Sequence, residues 1–184
     1  STKVLLFTRP RRFGKTLLLT MFEAFLKINP DKPFNTSLQQ KYFQGTRILE
    51  DKEFCSKFMG QYPVIDISLK DVTGKNFAKE ISKLAEKYRY LLNSPKLDEE
   101  DKDKLSKILK VEFLREFENS DYLTGSLSII ATALYKEYGK YPVLLIDEYD
   151  VPLANASYHD LQNTKLYRDE KDFKADFHYI RCLY

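Results

Sequence analysis

The 184-residue chain is one domain's worth, enough to bury roughly 70% of its unfolded surface in a single core. With 43% hydrophobic and 31% charged residues it has the composition of an ordinary globular protein, not of a disordered or membrane one, and its apolar runs are too short to span a bilayer. A net charge of +3 is too mild to mark a nucleic-acid binder by bulk electrostatics, and no signal peptide is read.

Val4 to Phe7 is an apolar run that reads as a buried strand, followed by a tight basic loop and the start of a helix. Gly14-Lys15-Thr16 falls where the loop turns into that helix, the position of a phosphate-binding loop. Unbonded backbone N–H groups and the helix dipole favour an anion there. Lys15 can reach the outer phosphates of a nucleotide, and the Thr16 hydroxyl can ligate Mg²⁺. The general motif has a Gly five residues before Gly14, and here Arg9 takes its place. A basic helix N-terminus is therefore the alternative reading of the triplet alone. On the phosphate-loop reading, Arg9, Pro10, Arg11, Arg12, Phe13 and Gly14 wrap the phosphates, and Lys15, Thr16 and Leu17 open the helix beneath them. Arg9, Arg11, Arg12 and Lys15 place four cations within seven residues. Triphosphate satisfies part of that charge, and a nucleic-acid backbone, an acidic partner or solvent the remainder.

Leu18, Met21, Phe22, Phe25 and Leu26 then recur at helical spacing, and the stripe predicts a first helix packed onto a sheet and ended by Pro30 and Pro33. Leu38, Tyr42 and Phe43 suggest a short helix before a turn at Gly45, and Phe54 with Phe58 another turn or two. Tyr62 to Leu69 reads as a strand, with Pro63 at its start where no ladder N–H is needed. Asp66 and Ser68 share one face of it by period two. They could approach a ligand or belong to a solvated, hydrogen-bonded face. From Phe77 the positions 81, 84, 85, 88 and 92 trace a helical face up to the Asn93-Ser94-Pro95 break. Asp98 to Asp101 place acids at the start of a helix continued by Leu105, Ile108 and Leu109. Leu127, Ile130, Ala131, Leu134, Tyr135 and Tyr138 form an amphipathic helix closed by Gly139.

Pro142 to Ile146 then runs into Asp147-Glu148. Four consecutive apolar residues suit a strand buried on both faces, and the carboxylates fall at its C-terminal end, where open α/β sheets bind ligands. This is the Walker B pattern, in which Asp147 holds the metal and Glu148 polarises the attacking water. An acidic turn after a buried strand is the ordinary alternative. Beyond Pro152 the chain is highly charged and reads as a surface helix or lid.

Thr8 to Thr16 and Leu145 to Leu153 resemble the signature blocks of the predicted AAA-ATPase-like family of bacteria and archaea. Tyr42 to Ile48 and Tyr62 to Leu69 are similar to its two weaker blocks, so the resemblance spans most of the chain. Arg occupies the first-glycine position in that family as well. The resemblance implies a three-layer α/β P-loop NTPase domain with a mainly parallel sheet, and it alone favours ATP over GTP. It also implies, for longer relatives, a nuclease-like C-terminal domain of the PD-(D/E)xK type that has no counterpart in this sequence.

Cys55 and Cys182 are isolated, which fits a reducing cytoplasm, and His159 and His178 have no metal-ligand spacing. The chain opens with Ser1 only three residues before its first strand and stops soon after Asp176. We read it as an incomplete domain. The expected activity is Mg²⁺-dependent ATP binding and hydrolysis used as a conformational switch. The alternative is a nucleotide-holding module that gates an attached effector or a nucleic-acid surface without turnover.

Overall fold

The computed structural model describes residues 14–70, 72–73 and 76–149, and among them two parallel strands organise the packing. Strand β1 (Val64–Ser68) pairs with β2 (Val143–Asp147) in a register that runs from Val64 opposite Val143 to Ser68 opposite Asp147. Parallel pairing sends both C-terminal ends to the same edge. It also requires a long crossover, which the helices between the strands supply.

That crossover is nearly all helical. Helix α4 (Phe77–Glu86) is followed by a 3₁₀ turn over Arg89–Asn93, α5 (Glu99–Ile108) by α6 (Val111–Arg115), and α7 (Ser120–Thr124) by α8 (Ser126–Tyr138). Asp98 caps α5 by accepting from the Asp101 N–H, which accounts for the acidic run there, and Gly139 ends α8 at a φ of 67°. Ile81, Leu84, Leu105, Ile108, Ile130 and Leu134 from these helices close over Ile65 and Ile67 of β1 and make the main core. Tyr88, buried, donates its hydroxyl to the Val64 carbonyl and ties the helical layer to the strand.

Helix α1 (Lys15–Leu26) touches both strands, and the Thr16 bond to Asp147 places it on the face opposite Ile65 and Ile67, so helices cover both faces of an α/β arrangement. The strand expected over Val4 to Phe7 lies outside the described residues. Phe25 of the apolar stripe packs into a second cluster with Phe43 and Met59, built from α1, α2 (Ser37–Tyr42) and α3 (Lys52–Phe58), and Met21 stays 48% exposed. Phe25 meets the Phe43 ring edge-on at 5.3 Å, which fixes this orientation. The prolines do not end α1. The helix stops at Leu26 because Lys27 turns extended and bridges Tyr62, the Ile28 N–H donating to the Tyr62 carbonyl and the Tyr62 N–H to that of Leu26. The short helices at 37–42 and 52–58 match expectation, whereas the helical turns between 111 and 124 had no sequence reading.

Candidate functional site

The C-terminal edge of the sheet and the N-terminus of α1 meet. Gly14, at a φ of 71°, is the N-cap of α1 and offers no side chain to its first turn. The first intrahelical bond runs from the Leu18 N–H to the Gly14 carbonyl, which leaves the N–H groups of Lys15, Thr16 and Leu17 without helical acceptors. An L side chain at position 14 would be strained by the backbone, and no described residue lies within 4 Å of where a Cβ would stand. The result is a helix start with positive dipole, open N–H donors and a lysine at its first position.

Across from it stands Asp147, the last residue of β2 and only 7% exposed. The Thr16 hydroxyl donates to Asp147 Oδ2 at 2.7 Å, joining residues 131 positions apart. The other carboxylate oxygen, Oδ1, accepts from the Glu148 N–H at 3.0 Å. Both oxygens of a buried carboxylate are thereby held. Glu148 itself has a φ of 55°, the left-handed region that non-glycine residues seldom occupy, so the chain turns sharply off the strand there. Such backbone costs about 1–3 kcal/mol and persists only where its surroundings impose it. The pairing of Leu69 N–H with the Asp147 carbonyl extends the ladder to the last residue before that turn.

The expected site residues Gly14, Lys15, Thr16, Leu17, Asp147 and Glu148 are described, and the Thr16 bond joins their two segments. Arg9, Pro10, Arg11, Arg12 and Phe13 lie outside the described residues, as do Asp150, Cys182, His159 and His178. Sequence reasoning missed two features. The Glu148 backbone geometry carries no local signal, because glutamate is not a left-handed residue by propensity. Asp66 is also more than a half-solvated strand residue. Burial raises its carboxyl above the ordinary value of 3.8, Glu23 adds to the effect, Lys87 and Lys27 oppose it, and Asp147 adds slightly. Lys87 Nζ lies 3.9 Å from the Asp66 carboxylate, and Lys27 is paired with Glu23 at 2.7 Å.

Mg²⁺ fits this donor set. It takes hard oxygen ligands, usually one or two from protein together with water and phosphate. Thr16 Oγ1 and Asp147 Oδ2 are such oxygens, and their 2.7 Å separation is close to the spacing of about 3 Å between neighbouring oxygens on an octahedral Mg²⁺. Among the described residues no group of three or more His, Cys, Asp or Glu stands together, so these residues offer no all-protein cage.

The family described as Predicted AAA-ATPase has a sequence model that matches residues 1–181. This chain belongs to that AAA-ATPase-like family. Membership supports nucleotide binding in general. No curated protein and no solved structure matches the chain significantly. Among the described residues no helix of this AAA-ATPase-like chain is long and apolar enough to cross a membrane.

Proposed function

We propose that this AAA-ATPase-like chain binds Mg²⁺·ATP at the junction of α1 and β2 and hydrolyses it as a conformational switch. The observation that carries the reading is the Thr16–Asp147 hydrogen bond, which joins a helix start rich in free N–H donors to a buried carboxylate at a strand's C-terminal end. In this reading the N–H groups of Lys15, Thr16 and Leu17 meet phosphate oxygens, and the Lys15 ammonium neutralises the β- and γ-phosphates. Thr16 and Asp147 hold the ion, which neutralises charge developing on the transferred phosphoryl group. Glu148 stands one residue further on, in the left-handed turn that leaves the strand, and it is the group assigned to orient the attacking water. The 9–13 segment is assigned to the phosphates and the preference for adenine to family membership.

Calorimetric titration with Mg²⁺·ATP and phosphate release test the two halves separately. Lys15→Ala removes a charge-assisted hydrogen bond of about 1.5–3 kcal/mol and should weaken binding roughly tenfold or more. Equal affinity in the parent and Lys15→Ala would remove the phosphate-binding assignment. Glu148→Gln should keep affinity and lose turnover, because the amide is no base. Unchanged phosphate release after that substitution would shift the catalytic role elsewhere.

A further inference from the structure

Strand β1 brings two polar side chains to the face of Asp147, and they differ in how they are engaged. Register places Asp66 opposite Leu145 and Ser68 opposite Asp147, and side chains of register partners in a parallel pair project to the same side. Asp66 is committed to Lys87, at 3.9 Å, within a group of charges that includes Glu23 of α1 and Lys27 just beyond it. Ser68 is not committed. It is exposed, and its hydroxyl has no hydrogen-bond partner among the described residues. Its backbone is nonetheless fixed, since β1 pairs with β2 through Ser68 and the next residue, Leu69, still donates to the Asp147 carbonyl. Adjacent strands lie about 4.8 Å apart, so the backbone that carries this hydroxyl stands one strand spacing from that of Asp147, whose carboxylate Thr16 touches.

We infer that Ser68 is a positioning residue of the metal site, its hydroxyl holding a water bound to the ion that Thr16 and Asp147 ligate. This rests on the nucleotide reading above. Among the described residues no hydrogen bond joins the Ser68 hydroxyl to the Asp147 oxygens, and a water can bridge groups on neighbouring strands. Mg²⁺ keeps several waters when bound by few protein groups, and groups that hydrogen-bond such ligands govern metal affinity. A serine hydroxyl can donate to one neighbour and accept from the water at once. An alanine there keeps the strand and loses both functions.

The test is calorimetric titration of a non-hydrolysable ATP analogue into the chain, with Mg²⁺ and again with EDTA, for the parent, Ser68→Ala, Ser68→Thr and Lys15→Ala. Ser68→Ala should lower the Mg²⁺-dependent gain in affinity roughly tenfold, leave the affinity in EDTA unchanged, and recover with threonine to within about twofold. If Ser68→Ala keeps the full Mg²⁺ gain while Lys15→Ala binds weakly, the Ser68 assignment is wrong and the nucleotide site stands. Equal losses with and without Mg²⁺ in Ser68→Ala also overturn the assignment, because they mark a general rather than a metal-linked effect. If the parent and Lys15→Ala bind alike, both the assignment and the reading beneath it fall.

Discussion

The two faces of the small sheet are built from alternating residues of the same two strands and do opposite work. On one face Ile65, Ile67 and Ile146 pack against the helices of the crossover and are part of the main core. On the other, Thr16 of α1 bonds Asp147 and Glu23 acts on Asp66, beside the buried Val64 and Leu145. The first face lowers the free energy of the fold by removing apolar surface from water. The second keeps a buried carboxylate and a half-buried one beside each other, which no stability argument requires. The side-chain period of two thus keeps the carboxylates off the face that carries the main core, across a layer one strand thick.

The separation breaks most visibly under truncation of the apolar side. Ile130, fully buried on α8 within the main cluster, should cost about 2–5 kcal/mol when changed to alanine, read by urea denaturation. Nucleotide affinity measured well below the transition should stay near that of the parent. A loss of affinity without a comparable loss of stability would show that the two faces are coupled through the sheet.

Asp147→Asn asks the converse question. The amide can still accept from the Glu148 N–H and exchange a hydrogen bond with Thr16, so stability should change by less than about 1 kcal/mol. Mg²⁺-dependent nucleotide affinity should fall roughly tenfold, because a neutral oxygen is a poor ligand for a hard cation. Removing the charge from a site this buried could even raise the melting temperature, the usual mark of a residue kept for function. A marked drop in melting temperature would make Asp147 a structural residue instead.

Two glycines give a smaller and more selective comparison. Gly14 and Gly139 have φ values of 71° and 67°, and neither has an atom of a described residue within 4 Å of an added Cβ. Alanine at either position should therefore cost a similar backbone strain, about 1 kcal/mol in a melting experiment. Only Gly14→Ala should also weaken nucleotide binding, since Gly139 closes α8 ahead of β2 and precedes the strand rather than following it. Equal binding losses in the two variants would assign the effect to global softening.

What the sequence disclosed follows from the range of the forces involved. Gly14-Lys15-Thr16 and the apolar run into Asp147 are local patterns, and the structure brings them together across 131 positions. The helices over 77–86, 99–108 and 126–138 were legible because each is long enough to show a repeat of its apolar face. Val111–Arg115 and Ser120–Thr124 are single turns, too short for any period to emerge. The orientation of α1 is less legible for a different reason. Leu17, Leu18, Leu19, Met21, Phe22, Phe25 and Leu26 leave apolar residues around much of its circumference, so the pattern does not name the face that meets the sheet. Tertiary contacts decide it, the Thr16 bond on one side and the Phe25–Phe43 contact on the other. The left-handed Glu148 was equally invisible, because its conformation is imposed by what surrounds it.

The smallest expected effect concerns Asp66 and has a sign that distinguishes the faces. Its carboxyl is raised above 3.8, first by burial and then by Glu23, with Lys87 and Lys27 opposing and Asp147 adding. A carboxyl raised in the native state binds its proton more tightly there than in the unfolded chain. Its contribution to stability is therefore fully present below the unfolded value of 3.8 and is lost as pH rises through the native one. Asp66→Asn has no such proton to lose. Relative to the parent, the variant should gain stability as pH rises from 3.8 through the raised native value and then hold that gain, while losing only a weak, partly exposed contact with Lys87. Urea midpoints measured for both proteins across that interval check the sign. If the parent instead gains on the variant as pH rises, the Lys87 contact outweighs burial, and the polar face is held together by ion pairing rather than maintained against desolvation.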